Sequence, residues 1–376
     1  MLPAAGVAGR DLRANSAYTL HDWDSLPEEY RRPLAAALGP AAAAAAGVLV
    51  AGPGSPLPDK VVGPGGAALF SRLRHPDQAV DVPEELLAGL VLDGVLEIRA
   101  DDGFRSGPAA HQLLLEPQPW PADGGRLSRL SLSALLYAER LPTLGAGALT
   151  ARLYGFGRVP LSGRWTRAYP GPEAVLGLLR PGDVARHWSG QARADWLSWR
   201  RRGAADNPVL PYKLYVSPCV EELADALPAA VTALTASGVS HFKVGSDAAG
   251  LLRPDKFVVY LRDVAELRTA AAELARALAG VQPHGVPFSA ELAGDGLLSW
   301  GGDPPGDAGP AGAEPESWRL SVCRRLAEHL VAAKAAGLHA PGPAQYALAR
   351  LTLDGVRLPA FAPAALPGPA ESEAVA

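Results

Sequence analysis

The sequence predicts an α+β protein: a mainly helical N-terminal region carrying one β-hairpin, then an α+β domain with a mixed or antiparallel sheet. Three observations carry that prediction. The second half runs strand, helix, strand, strand, helix, an order that segregates helices from a sheet. Its strands alternate apolar and polar residues with period two, whereas its helices repeat with period 3.6. The first half reads as helices, broken once by a strand, a tight turn and a returning strand.

The elements follow in order. "SLPEEYRRPLAAAL" places acids early on an amphipathic helix, with Ser25 as its candidate cap. The alanine run at 41–46 and the "AGPGSPLPDK" behind it read as linker. "VPEELLAGLVLDGVLEIRADDGFRSGPAA" reads as a helix and a hairpin turning at "ADDG". A helix before a hairpin suits a winged helix, but no basic recognition helix accompanies it. "SLSALLYAERLPTLGAGALTARLYGFGRVPLSGRW" holds two amphipathic helical stretches. At "WLSWRRRGAADNPVLP" the composition turns to charge and then to turn residues, which sets a domain boundary near residue 205. Beyond it "YKLYVS", "HFKVG" and "KFVVYL" are strands, "ELADALPAAVTALTASG" is a helix stopped by Gly238, and "VAELRTAAAELARALAG" is a second helix. "GGDPPGDAGPAGAEPE" is a loop before a last helix from about Ser317 to Ala336. The expected division is a helical and hairpin region over 1–205, an α+β domain over 206–362 and a disordered tail over 363–376.

Bulk properties narrow the function. A length of 376 residues holds two or three domains, and a net charge of -4 gives no global attraction for nucleic acid or an acidic membrane. Any anion site must be local. Two cysteines, Cys219 and Cys323, without metal-type spacing suggest neither a disulfide framework nor a zinc site. No apolar run is long enough to span a bilayer. The expectation is a cytoplasmic protein in a reducing compartment. No Walker loop, Rossmann fingerprint, HExxH or nucleophile elbow is present.

The distribution of lysine is informative. Among 35 basic residues only five are lysine, and three of these, Lys213, Lys243 and Lys256, fall within 44 residues. With Arg253 they would form a cationic pocket if the strand ends meet. Converging cations need an anion, and phosphate suits both the charge and the arginine fork. Lysine, unlike arginine, can also shed its proton near neutral pH and act as a base. Each residue has a plainer reading: Tyr215 as a packed strand aromatic, Lys256 as a charge blunting a sheet edge, and Asp247 and Asp255 as turn caps.

The segments "YKLYVS", "HFKVG", "GLLRPDKFVVYL" and "VPFSAELAGDGLLSWGGDPP", with "LDGVLEI", "FRSGPAAH" and "LSALLYAERLP" before them, resemble the type III effector Hop family proteins of peptide-natural-product clusters. More distantly the chain resembles the phosphothreonine lyase effectors and the lyase domain of lanthipeptide synthetases. The resemblance implies a phosphothreonine lyase-like domain that eliminates phosphate from phosphoserine or phosphothreonine in a precursor peptide, with no cofactor and no metal. It implies Lys213 and Arg253 as phosphate-binding residues and Lys243 as the base. Lys256 joins the phosphate-binding set on charge alone. The position held by an acidic histidine in those lyases is Tyr215 here, a weaker acid by its reference pKa near 10. His241 and His284 lie nearby in sequence as substitutes. The expected partners are the phosphorylated precursor peptide and a separate Ser/Thr kinase, with a non-catalytic phosphopeptide- or leader-binding subunit as the alternative role.

Overall fold

The structure is a computed structural model describing residues 11–38, 45–53, 55, 57–74, 84–114, 124–142, 144–179, 181–193, 195–204, 210–304, 316–339 and 342–364. Two compact units divide the chain. One comprises Met1–Trp120, Gly306–Pro315 and Glu328–Asp354, and the other Pro121–Pro305, Glu316–Ala327 and Gly355–Ala376. The boundary expected near residue 205 thus falls inside the second unit. The tail expected at 363–376 lies, from residue 365 onward, outside the described residues. Among those residues no helix is long and apolar enough to cross a membrane.

The first unit contains two small antiparallel sheets. In one, Gly47–Ala51 lies between Tyr18–His21 and Lys60–Val62, so strands border the segment read from sequence as linker. In the other, the expected hairpin pairs Leu96–Ala100 with Gly103–Arg105, and Leu12–Ala14 adds a third strand. Helices Pro64–Leu73 and Glu84–Leu92 contribute Phe70 and Val91 to a core shared with Leu49 and Ile98. The first helix begins at Glu28 and not beside Ser25, whose hydroxyl bonds back to the Asp22 carbonyl.

The second unit is built on a seven-stranded antiparallel sheet. Its spatial order is Ala290–Glu291, Leu298–Gly302, Tyr212–Val216, Phe257–Leu261, His241–Gly245, Trp196–Arg201 and Trp188–Arg193. Period two fixes which side chains share a face. Leu214, Val216, Phe242, Val244, Phe257, Val259, Leu197 and Trp199 join one core with helices Leu223–Ser237 and Val264–Ala277. Gly238 at φ 80° ends the first helix, and the Asp263 carboxylate caps the second by accepting from Glu266 N at 2.8 Å. The "WLSWRR" segment is a sheet strand because Leu197 and Trp199 point inward while Trp196, Ser198 and Arg200 alternate with them. That is why the compositional boundary at 205 does not divide the fold.

The turn after His241–Gly245 positions the next cation. A Cβ at Gly245 would sit 2.4 Å from the Gly250 carbonyl carbon, so two glycines let the Ala248–Leu251 turn fold onto the strand end. Asp247 caps that turn, its carboxylate accepting from Gly250 N at 2.8 Å, as expected from sequence. Arg253 is thereby returned toward the sheet.

Candidate functional site

The face of the sheet opposite these helices carries most of the residues expected to form the site. Register places Tyr260 between Lys213 and His241, Val258 between Tyr215 and Lys243, and Lys243 opposite Ser198. Three of the expected cations form one row on this face, separated by aromatic rings. The Lys213 and Lys243 ammonium groups each lie 5.5 Å from the Tyr260 ring centroid. Lys243 Nζ is 4.3 Å from the Trp196 ring, and the Arg253 guanidinium carbon is 4.8 Å from the same ring. Aromatic faces attract cations, so Tyr260 and Trp196 offset part of the repulsion among like charges held this close.

Each cation has a different anchor. Lys213 is buried and pairs with Asp303 at 2.6 Å. Arg253 forks onto Asp255, with Nε donating at 2.9 Å and Nη2 at 3.0 Å, while its Nη1 has no acceptor among the described residues. Asp255 is not a turn cap but the centre of a buried cluster. Tyr154 donates to it at 2.8 Å, and Arg319 Nη1 lies 3.2 Å from its Oδ2. Arg319 is held in turn by the Pro287 and Tyr154 carbonyls, at 3.1 and 2.6 Å. Burial alone would raise the Asp255 pKa, but Arg319, Arg253 and the hydrogen bond from Tyr154 outweigh it and hold the carboxyl well below its ordinary range. Burial also pushes the Tyr154 hydroxyl up to about 12, so it remains a donor. Lys213, Lys243, Arg253 and Arg319 thus gather on this side of the sheet, with Asp255, Asp303 and Asp195 among the carboxylates near them, a concentration of cations suited to an anion.

Two expected site residues stand differently. Lys256 is fully buried immediately before the central strand Phe257–Leu261, so it neither blunts an edge nor joins the cationic row. Its Nζ donates to the Pro218 carbonyl at 2.8 Å and to His284 Nδ1 at 2.7 Å, and His284 Nε2 donates to the Gly157 carbonyl at 2.6 Å. Burial pushes Lys256 down to about 7 and His284 down to about 4, the Lys256 charge adding to the second shift. Tyr215 does share a face with Lys213, yet its hydroxyl is sealed and without a hydrogen-bond partner among the described residues. Burial, then Asp303, raise its pKa well above 10, which works against an acid role.

The buried amine gives a testable dependence of stability on pH. An unfolded lysine keeps its proton to about pH 10.4, whereas folded Lys256 releases it near 7, so between those values the native state binds fewer protons. Wild-type stability is expected to rise relative to Lys256→Met across this window, by at most about 1.4 kcal/mol per pH unit. Urea unfolding midpoints of both proteins at pH 7 and pH 9 measure the difference. A constant difference would mean that Lys256 does not titrate in this range.

Sequence reasoning missed Tyr260, Trp196, Asp303, Tyr154 and Arg319. Period two would have put Tyr260 on the face of Val258, but only strand pairing sets it between two lysines. Arg319 lies on helix Trp318–Ala335 with no local signal separating it from Arg324 and Arg325. Among the described residues no group of three or more His, Cys, Asp or Glu side chains gathers as a metal site.

No protein-family model and no curated protein sequence matches the chain. Solved structures do. An effector protein from Pseudomonas syringae pv. tomato strain DC3000 is 11% identical with a TM-score of 0.40, covering 64% of this chain and 99% of its own. An effector from Pseudomonas syringae pv. syringae strain 61 is 15% identical with a TM-score of 0.35, over 58% of this chain and 98% of its own. The type III effector and phosphothreonine lyase OspF from Shigella flexneri is 11% identical with a TM-score of 0.28, over 46% and 90%. Identities and scores at this level assign no family, and the functional reading rests on the site itself.

Proposed function

We propose that this protein is a phosphoserine/phosphothreonine lyase that eliminates phosphate from a kinase-phosphorylated precursor peptide, leaving dehydroalanine or dehydrobutyrine in ribosomal peptide maturation. The observation that carries the reading is the row of Lys213, Lys243 and Arg253 along one sheet face. In it Lys213 and the open Nη1 of Arg253 hold the phosphate. Lys243 Nζ takes the α-proton, the released electron pair forms the Cα=Cβ bond, and the Cβ–O bond breaks toward phosphate. A lysine is required at the base position because guanidinium does not deprotonate. The chain carries no kinase signature, so a separate Ser/Thr kinase supplies the phosphoryl group. The sequence resemblance to Hop family proteins of peptide clusters supports the choice of substrate.

The sealed Tyr215 hydroxyl favours a second reading, a phosphopeptide- or leader-binding subunit of a kinase complex that lacks the chemistry. Incubating the purified protein with phosphoserine and phosphothreonine peptides, read by mass spectrometry and a binding assay, separates the two. Loss of one phosphoric acid supports the lyase. Binding without mass loss leaves only the second reading, and absence of both refutes the pair.

A further inference from the structure

Elimination from a phosphate ester dianion leaves a trianion unless the bridging oxygen gains a proton. With Tyr215 sealed, that proton needs another source. His241 lies two residues before Lys243 on the same strand and the same face, so their Cα atoms are separated by about 7 Å. A base and an acid at that spacing can reach an H–Cα–Cβ–O unit from one side. The imidazole is held in place twice. It stacks on Tyr260 at 4.5 Å and 14°, and its Nε2 meets Ser198 Oγ at 2.8 Å. Tyr260 is the ring that both lysines contact, so His241 borders the expected phosphate position. Among the described residues its Nδ1 has no hydrogen-bond partner and, unlike the Tyr215 hydroxyl, is not sealed.

We infer that His241, resting on the lyase reading above, is the general acid that protonates the departing phosphate through Nδ1. The atoms balance. Lys243 receives the Cα proton, the C–H pair becomes the double bond, the Cβ–O pair stays on oxygen, and the imidazolium proton converts the leaving group to hydrogen phosphate. Solvent then reprotonates His241 and takes the proton from Lys243.

The groups around the ring explain when it charges. Burial, followed by the cations of Arg200, Lys243 and Arg193, holds His241 down to about 4 in the free protein, with Tyr260 and Ser198 as its neutral neighbours. A phosphate bound among Lys213, Lys243 and Arg253 adds close to two negative charges at neutral pH. Substrate binding therefore raises the imidazole pKa, and the acid is loaded only when there is a group to protonate.

The test compares wild type with His241→Gln and His241→Asn on two peptides, one with phosphothreonine and one with S-phosphocysteine. The second expels thiophosphate through sulfur, a weaker base that calls less on an acid. On phosphothreonine the variants are expected to lose kcat by about 100-fold or more with KM little changed. On S-phosphocysteine the deficit should shrink about ten-fold or more, because the acid contribution falls with leaving-group basicity. An equal deficit on both peptides, a change confined to KM, or wild-type rates in the variants overturns the role of His241 while leaving the lyase intact. Wild type that eliminates from neither peptide removes both readings.

Discussion

Lys243→Arg is expected to stop phosphate loss while keeping phosphopeptide binding. Arginine preserves the charge beside Trp196 and Tyr260 and stacks on aromatic faces at least as well as lysine. It cannot take the α-proton. A drop of about 1000-fold or more in elimination is therefore expected for both Lys243→Arg and Lys243→Ala, in the range general base catalysis supplies. Only the alanine variant should also bind the phosphopeptide appreciably more weakly. Mass spectrometry of a phosphorylated precursor peptide gives the first quantity and fluorescence anisotropy the second. Elimination at the wild-type rate by Lys243→Arg would move the base elsewhere.

Asp255→Asn is expected to give the largest loss of stability. The carboxylate is buried between Arg253 and Arg319 and accepts from Tyr154, so neutralising it leaves two guanidinium groups facing each other away from water. Breaking a buried pair by removing one partner costs about 3–5 kcal/mol, because the surviving charge keeps its desolvation penalty. Urea unfolding at pH 7 measures it. The sign with pH follows from the depressed carboxyl: the unfolded group titrates near 3.9 and the folded one below that, so the contribution is present above about pH 4 and lost as pH falls through the folded value. The gap between wild type and variant should then narrow in acid. A loss below about 1 kcal/mol at pH 7 would show that the cluster is surface-like and solvated.

Much of the second unit could be read along the chain. Lys213, Lys243 and Arg253 were identified as a set because lysine is scarce in this composition, and three strands and two helices were read from their periods. The strands at Trp188–Arg193 and Trp196–Arg201 were not. The arginines after "WLSW" read as a shift to charged composition, and only pairing with His241–Gly245 buries the alternate Leu197 and Trp199. Asp255 looked like a turn residue because a local window does not show Arg319, 64 positions later, arriving on a helix.

The sequence by itself determined which side chains are cationic, which of them can deprotonate, and which alternate residues of each strand share a face, since these follow from side-chain chemistry and a backbone repeat of two. Tertiary structure alone decided which faces meet. It set Tyr260 and Trp196 between the cations, buried Lys256 against His284, sealed Tyr215, and stacked the His241 ring on Tyr260 with one ring nitrogen open. Those outcomes depend on the order of strands across the sheet and on burial. Both are set by packing of segments far apart in the chain, and burial is what moves a titratable group away from its ordinary pKa.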